Sequence, residues 1–414
     1  MGGGAGRRGR GVTVTWLELA DDTPFGLDNL PYGVFSVGGA PERRIGVPVG
    51  DQVLDLTAAA AGTAAAFAPL LTSGVLNPLL AAGAATWREV RESVTEWLTE
   101  PRYADQLRPH LVPLSEVTTH LAFEVADYVD FYSSEHHALN AGKIFRPDAT
   151  ELPPNWKHLP IGYHGRAGTV VASGTPVVRP HGQRKPRNAD APSFGPSQRL
   201  DIEAEVGFVV GTPSTVGTTV STADFADHVF GVCLVNDWSA RDIQAWEYQP
   251  LGPFLGKSFA TSVSPWIVPL AALEHARVAG PPQDPEPFEY LRTGEKWGLD
   301  LALEIRLNGH LVSSPPFATQ YWTAPQQLAH MTVNGASLRT GDLFASGTVT
   351  GPERDQRGSF LELSWGGQEP LELPGGVTRT FLEDGDEVVI SATAPGPRGT
   401  RIGFGDVRGT VVPG

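Results

Sequence analysis

Acidic and apolar residues alternate through residues 200–208 of this chain. In an extended strand, three acidic side chains share one face, those of Asp201, Glu203 and Glu205, with neighbours on that face ~6–7 Å apart. A solvated strand face is one interpretation of this pattern. Two other apolar runs also end in a carboxylate, Asp130 and Asp237. If these strand ends meet, the carboxylates repel one another unless a cation neutralises them, and an all-oxygen set suits Ca²⁺ or Mg²⁺.

A polar stripe follows the second of these strand ends. Residues 237–248 are typical of a helix that leaves a strand, and the spacing i, i+4, i+7, i+11 gives one face to Asp237, Arg241, Gln244 and Tyr248. Such a stripe either faces solvent or lines a pocket, and spacing alone does not choose between the two. Arg and Gln donate hydrogen bonds to carboxylate and carbonyl oxygens.

Two adjacent histidines, His136 and His137, follow the acidic strand end at Asp130. Ser133 or Ser134 can cap a helix that carries both of them. A histidine pair is usually one surface residue and one residue satisfied by packing, and a catalytic histidine is the alternative.

A single carboxylate, Glu362, interrupts the apolar segment from Phe360 to Trp365, which predicts a strand. If this side chain is buried it needs a partner, and a histidine is the natural one. An ordinary outward-facing strand residue is the other interpretation.

Several familiar motifs are absent from the sequence. Only three residues separate Gly252 from Gly256-Lys257-Ser258, where a phosphate-binding loop needs four. Neither Gly-x-Ser-x-Gly nor His-Glu-x-x-His occurs. The lone cysteine, Cys233, excludes an intrachain disulfide and a multi-cysteine zinc site, and its apolar surroundings predict a buried thiol.

Two regions of different texture must position these residues. Residues 12–119 combine a hairpin around Gly50-Asp51 with a helix over residues 86–98, for which we predict a Thr86–Glu89 capping box and a buried face of Trp87, Val90, Val94 and Trp97. Residues 120–414 are short β-like runs separated by Gly and Pro. We therefore predict a mostly β, α+β protein with a disordered arm at residues 1–11, an N-terminal module at 12–119 and a larger domain at 120–414.

Composition excludes several classes of partner. The 31 Lys and Arg against 46 Asp and Glu give a formal charge of −15, which argues against nucleic-acid and anionic-membrane surfaces. The sequence contains no apolar run of about 18 residues and no secretory signal, so we expect a cytoplasmic protein.

Four strings resemble the fumarylacetoacetate hydrolase family: residues 163–166, 236–244, 253–258 and 341–348. The similarity runs from about residue 31 to residue 405, nearly the whole chain. It implies an SH3-like N-terminal barrel, a mixed β-roll catalytic domain and a homodimer. It also implies cleavage by water of a carbon–carbon bond in a β-diketo acid, giving fumarate and acetoacetate in tyrosine and phenylalanine catabolism.

The resemblance also implies roles for individual residues. Calcium ligands fall on Asp130, Glu203, Glu205 and Asp237, and magnesium positions fall on Asp237, Lys257 and Thr261. Because an ammonium group cannot ligate a metal, we expect Lys257 to offer its backbone carbonyl or to lie beside the ion. The proton acceptor aligns with His137, and His136 is incidental. Substrate contacts align with Tyr132, Arg146, Tyr163, Gln244, Tyr248 and Thr348.

The implied mechanism uses His137, oriented by Glu362, to remove a proton from water. Arg241, Gln244 and Lys257 would stabilise the oxyanion and the leaving carbanion. Two rival functions remain open from the sequence. One is an acylpyruvate or related diketo-acid hydrolase, hydratase or decarboxylase of the same superfamily, and the other is a non-catalytic, metal-stabilised binding protein.

Overall fold

A computed structural model describes residues 15–145, 151–186 and 188–414 of the chain. The predicted arm at residues 1–11 and the predicted substrate contact Arg146 lie outside these residues. Across the described part of the chain, strands predominate over helices, which confirms the mostly β, α+β class.

The N-terminal part of the chain contains five strands and four helices. The strands are β1 (Tyr32–Val37), β2 (Arg44–Val49), β3 (Gln52–Asp55), β4 (Leu111–Pro113) and β5 (Val117–His120). The helices are α1 (Leu56–Gly62), α2 (Asn77–Ala81), α3 (Ala84–Thr99) and α4 (Ala104–Leu107). All five strands pair antiparallel in the order β5–β1–β2–β3–β4, and β2 and β3 form the predicted hairpin.

The remaining strands follow from residue 128 onward. They are β6 (Tyr128–Phe131), β7 (Gly162–His164), β8 (Val170–Ala172), β9 (Val177–Val178), β10 (His181–Arg184), β11 (Ser193–Pro196), β12 (Leu200–Asp201), β13 (Ala204–Val210), β14 (Val229–Asp237), β15 (Ser239–Ala240), β16 (Thr261–Val263), β17 (Trp266–Pro269), β18 (Arg277–Val278), β19 (Gly298–Leu299), β20 (Ala302–Leu307), β21 (His310–Ser313), β22 (Leu343–Ala345), β23 (Leu371–Leu373), β24 (Val377–Arg379), β25 (Glu387–Pro395), β26 (Arg401–Gly403) and β27 (Val407–Val412). The helices between them are α5 (Glu135–Phe145), α6 (Phe225–His228), α7 (Arg241–Glu247), α8 (Ala324–Thr332) and α9 (Phe360–Leu363).

One sheet connects both parts of the chain. Strand β1 pairs with β17, with Tyr32 opposite Ile267, so the N-terminal strands continue into a 13-stranded sheet. Beyond β17 the order is β14–β13–β22–β6–β7, with β6 parallel to β22. A second sheet of six strands has the main order β21–β20–β25–β27–β9. The large sheet carries the strand ends on which the acidic residues lie.

The central strand β14 is buried on both faces. Val232 and Leu234 belong to a core shared with the six-stranded sheet, while Cys233 and Val235 belong to a core shared with the N-terminal helices. This alternation has the period of a strand, and burial on both faces accounts for the continuous apolar run. Cys233 is a free, fully buried thiol, as predicted, and burial raises its pKa to about 12.

The start of α3 differs from the prediction. The helix begins at Ala84, after Gly83 with a φ of +84°, so Thr86 lies inside the first turn. The Thr86 hydroxyl donates to the Ala82 carbonyl at 3.2 Å, and the predicted Thr86–Glu89 capping box is wrong. The predicted buried face is confirmed at Val90, Val94 and Trp97.

Residues 200–208 also depart from a simple strand. The strand is interrupted between β12 and β13, and Glu203 lies in the interruption. The interpretation as a solvated face is wrong, because β13 is an inner strand of the sheet and the side chains of Asp201, Glu203 and Glu205 are all buried.

Two helices begin where the sequence did not predict them. Asp237 ends β14 and α7 begins at Arg241, so the predicted four-residue helical stripe is wrong and its polar residues come from two elements. Glu362 lies in the one-turn helix α9, not in a strand, and Ser359 caps that helix. A short apolar run fits a buried helical turn as well as a strand, so periodicity could not separate the two.

Candidate active site

Three strands of the large sheet bring four carboxylates together. Asp130 lies on β6, Glu205 on β13 and Asp237 at the end of β14, while Glu203 directly precedes β13. Strand β13 pairs with β14 so that the Asp237 amide donates to the Glu203 carbonyl at 3.1 Å. One oxygen from each carboxylate lies within 4.8 Å of the others, and all four residues are buried. The structure thus brings together the predicted acidic set.

Two buried cations lie against this acidic cluster. The Lys257 ammonium lies 2.5 Å from Glu203 Oε2 and 2.8 Å from Asp237 Oδ2. Arg241 Nη1 lies 2.8 Å from Glu203 Oε1. Although burial alone would raise it, the pKa of Glu203 is lowered because Lys257 and Arg241 stabilise its charge.

The other carboxylates are compensated less or not at all. Burial raises the pKa of Asp130 and Glu205 well above the usual range, and neighbouring carboxylates raise each further. Burial also raises the pKa of Asp237, against the opposing effect of Lys257. The cluster therefore carries more negative charge than its two cations neutralise.

The donor set fits a divalent cation. Asp130 Oδ1 and both carboxylate oxygens of Glu205 are buried and have no hydrogen-bond partner among the described residues. Counting Asp201, which also pairs with Arg241, five carboxylates against two cationic side chains leave a formal charge of −3. Oxygen-only ligands are those that Ca²⁺, Mg²⁺ and Mn²⁺ prefer. Lys257 lies beside such a site through its ammonium group, and the Thr261 hydroxyl lies 3.4 Å from Asp237 Oδ1.

A histidine–glutamate pair is the second group of candidate catalytic residues. Ser134 caps α5 by accepting from the His137 amide at 3.1 Å, which confirms the predicted serine cap. His137 Nδ1 lies 2.7 Å from Glu362 Oε2, although 225 residues separate them in sequence. His136, the other member of the pair, is only half-buried.

Glu362 is held from several sides. Its Oε1 accepts from Asn140 Nδ2 at 3.0 Å, and its Oε2 accepts from the hydroxyls of Thr350 at 3.0 Å and Ser359 at 2.9 Å. Burial opposes its charge, yet His137 and these hydrogen bonds lower the pKa of Glu362. The side chain is therefore a carboxylate oriented toward His137. Sequence reasoning missed these three supporting residues; the position of Asn140 one helical turn after His137 was the available signal.

A cavity of about 480 Å³ connects the two groups. Its lining includes most of the predicted site residues: Asp130, Tyr132, His137, Tyr163, Glu203, Arg241, Gln244, Tyr248, Lys257 and Thr348. Glu362, Glu205, Asp237 and Thr261 lie behind this lining. Asp237 and Thr261 line a smaller neighbouring cavity of about 120 Å³, which shares Tyr163 and Lys257 with the first.

The turn before Thr348 depends on a glycine. Gly347 has a φ of +76°, and a Cβ atom there would lie 2.1 Å from the Phe131 carbonyl oxygen. Only glycine allows this close approach of two backbones. The turn presents Thr348, whose buried hydroxyl has no partner in the described part of the chain, at the cavity wall.

Asp201 is the acidic residue of the 200–208 pattern that does not join the cluster. Its carboxylate is fully buried and lies 2.7 Å from Arg241 Nε. The sequence placed it on the acidic face but gave no signal for this partner, because the pairing depends on the interruption between β12 and β13.

The fold and this arrangement define an α+β protein with a candidate active site. The site combines a buried cluster of carboxylates with a histidine–glutamate pair. Two family descriptions match the sequence: "Fumarylacetoacetase N-terminal" over residues 28–122 and "Fumarylacetoacetate (FAA) hydrolase C-terminal" over residues 126–412. The chain belongs to the fumarylacetoacetate hydrolase family.

Curated relatives are similar over almost their whole length. The chain is 46% identical to fumarylacetoacetase of Homo sapiens, over 97% of this chain and 99% of that protein. It is 47% identical to fumarylacetoacetase of Caenorhabditis elegans, over 96% and 99%. It is 44% identical to fumarylacetoacetase of Arabidopsis thaliana, over 96% and 98%.

Solved structures share the fold at low sequence identity. A fumarylacetoacetate hydrolase from Exiguobacterium antarcticum has a TM-score of 0.52 at 18% identity, covering 93% of this chain and 100% of that one. A putative HpcE protein from Mycobacterium smegmatis has a TM-score of 0.54 at 17% identity, covering 92% and 99%. Among the described residues, no helix has the length and apolar character needed to cross a membrane.

Proposed function

We propose that this chain hydrolyses the carbon–carbon bond of 4-fumarylacetoacetate to fumarate and acetoacetate, the last step of tyrosine and phenylalanine catabolism. The main observation behind this proposal is that the His137–Glu362 pair and the acidic cluster lie at one cavity. Relatives named fumarylacetoacetase at 40–47% identity over at least 96% of the chain support this substrate.

His137 acts as the general base in this proposal. The Glu362 carboxylate accepts a hydrogen bond from Nδ1–H of His137, so Nε2 is the nitrogen that can receive a proton from water. The resulting hydroxide adds to the ketone carbon of the fumaroyl group, which becomes a carboxylate carbon of fumarate. Base assistance of this kind accelerates a reaction by ~10²–10⁴-fold.

Arg241, Gln244 and Lys257 stabilise the charge that develops on the substrate. Arg241 Nη2 is buried without a partner among the described residues, while its Nη1 lies 3.1 Å from Gln244 Oε1. A free donor on a fixed guanidinium suits an oxyanion, where one donor contributes ~2.7–4 kcal/mol. When the tetrahedral adduct collapses, the carbon–carbon bond breaks and its electron pair leaves as the acetoacetate enolate, which then takes up a proton.

The acidic cluster would hold a divalent cation, with Asp130, Glu203, Glu205 and Asp237 as ligands, Lys257 beside them and Thr261 nearby. We propose Ca²⁺ or Mg²⁺. When bound, the ion would supply stabilisation of the negative charge that develops on the substrate.

The remaining cavity residues bind the substrate. Tyr132, Tyr163, Gln244 and Thr348 line the cavity wall, and Tyr248 is 38% exposed at its rim. Arg146 is proposed as a further carboxylate contact, and a homodimer is proposed, on the family resemblance alone. A cytoplasmic location is proposed from the sequence.

One assay tests the proposal. Purified protein is mixed with fumarylacetoacetate in the presence of Mg²⁺ or Ca²⁺, and the loss of substrate ultraviolet absorbance is followed. Rapid loss that disappears in His137→Ala supports the function. Turnover of an acylpyruvate alone supports the related diketo-acid hydrolase, and turnover of neither supports a binding protein.

A further inference from the structure

Asp201 connects two parts of the active site that come from distant segments. Its side chain is fully buried at the end of β12. Oδ2 accepts from Arg241 Nε at 2.7 Å and from the Leu361 amide at 3.0 Å. Oδ1 accepts from the Phe360 amide at 2.7 Å and from the Ile202 amide at 2.7 Å. One carboxylate thus receives four hydrogen bonds.

The two backbone amides belong to the first turn of α9. Phe360 and Leu361 are the first residues of that helix, and Glu362 is the next. The first amides of a helix have no partner within it, so a carboxylate there fixes the start of the helix and favours its dipole. The Asp201 carboxylate therefore fixes the backbone that carries Glu362 toward His137.

The same carboxylate fixes the Arg241 guanidinium. Asp201 accepts from Nε, and Glu203 and Gln244 accept from Nη1, so the guanidinium group cannot rotate. Nη2 then remains available for a ligand in the cavity. We propose that Asp201 is a positioning residue that aligns the charge-stabilising Arg241 with the Glu362–His137 base. This inference rests on the proposed function of those groups and adds a residue that touches neither water nor substrate.

An aspartate is required by the donors around it. All four partners of the side chain are N–H groups, and a carboxylate offers acceptors on both oxygens. Asparagine at this position directs an amide N–H at one pair of donors. Asp201→Asn therefore keeps the shape and breaks two of the four hydrogen bonds.

The chain provides a matched control. Asp386 is also buried and accepts from Arg379 Nε at 2.9 Å, from Asn308 Nδ2 at 2.8 Å and from the Glu383 amide at 2.8 Å. It does not line the cavity. Asp386→Asn therefore reproduces the loss of a buried, arginine-paired carboxylate without touching the site.

The test is a double-mutant cycle on full-length protein with the divalent cation present. We expect Asp201→Asn to lower kcat by about 10²-fold with a small change in KM, because misplacing catalytic groups by about 1 Å has that effect. In Glu362→Gln, the further change Asp201→Asn lowers kcat by less than it does in wild type, because the Glu362 charge that Asp201 helps to position is already gone and only the effect through Arg241 remains. Asp386→Asn leaves kcat unchanged in both backgrounds.

The proposal would be overturned if the kcat losses of Asp201→Asn and Glu362→Gln simply multiplied in the double variant. A folded Asp201→Asn or Asp201→Glu variant with wild-type kcat would also overturn it. The Glu variant keeps the charge and the salt bridge but moves the carboxylate, so it separates positioning from stability.

A second measurement does not depend on turnover. In protein with isotope-labelled histidine, the His137 Nδ1 proton is assigned by its loss in His137→Ala. We expect Asp201→Asn to shift or broaden that resonance and Asp386→Asn to leave it unchanged; an unchanged resonance in Asp201→Asn would contradict the coupling to Glu362. If the wild type turns over no diketo acid, the proposed function fails while this measurement still decides whether Asp201 positions the pair.

Discussion

Glu362→Gln isolates the charge of the residue behind the proposed base. Glu362 Oε2 receives hydrogen bonds from His137, Thr350 and Ser359, and Oε1 receives one from Asn140. A glutamine whose carbonyl oxygen takes the Oε2 position keeps the first three. The Asn140 amide can then turn to accept from the new N–H, so shape and hydrogen-bond number are preserved and only the negative charge is removed.

The expected size of the effect follows from the separation of the charges. His137 becomes positive only as it takes the proton, at 2.7 Å from the carboxylate oxygen. Two unit charges about 4 Å apart attract by ~4 kcal/mol at an effective dielectric constant near 20. At ~1.36 kcal/mol per factor of ten, loss of this attraction lowers kcat by about 10³-fold. KM stays near the wild-type value, because Glu362 is fully buried and does not line the cavity.

The assay compares kcat, KM, melting temperature and metal content of Glu362→Gln with those of wild type. Glu372→Gln, at an exposed position on β23, is the control for the same chemical change. A kcat within about threefold of wild type would refute the role of the carboxylate charge in base catalysis. A large loss accompanied by unfolding would be corrected with the soluble, folded fraction measured by circular dichroism.

Three further perturbations address the cluster and the stability of the fold. Lys257→Met leaves the buried Asp237 carboxylate without its cation and removes one of the two cations beside Glu203, so we expect the free energy of unfolding to fall by ~3–5 kcal/mol in chemical denaturation. Chelation of divalent cations should lower both turnover and melting temperature, and both should recover on adding Mg²⁺ or Ca²⁺. Glu205→Gln should raise the ion concentration needed for that recovery, and full activity after exhaustive chelation would contradict the cation site. Although burial raises it, the hydrogen bonds from Arg379, Asn308 and the Glu383 amide hold the pKa of Asp386 below its usual value. The stabilisation by this carboxylate is therefore present above the unfolded pKa of ~3.9 and is lost as pH falls through the lower folded value. Asp386→Asn should therefore be less stable than wild type at neutral pH and equally stable in strong acid, as measured by urea unfolding at each pH.

Strand periodicity predicted that Glu203 and Glu205 could meet, because an alternating pattern places both on one face of an extended segment. It could not predict that both faces are buried, since one face packs in the core shared with the six-stranded sheet and the other in the core shared with the N-terminal helices. The predicted approach of Asp130 and Asp237 needed the pairing order of the sheet, which the resemblance supplied and the residue pattern did not.

The least predictable features are those made by short or interrupted elements. Glu362 lies on one helical turn, and its partner His137 is 225 residues away. Asp201 leaves the acidic face only because the strand breaks at Glu203. Local sequence carries little information about either event, because each is fixed by contacts that form only in the folded chain.

The charges of the site explain how an acidic chain can bind an anionic substrate. The formal charge of −15 is spread over 414 residues, whereas the cluster keeps two cations, Lys257 and Arg241, in direct contact with its carboxylates. A divalent cation offsets most of the negative formal charge of these groups, and the unpartnered Arg241 Nη2 and Thr348 hydroxyl are then polar groups that can meet a ligand in the cavity. The position of Arg241 therefore decides whether Nη2 meets the ligand, and Asp201 sets that position together with Glu203 and Gln244.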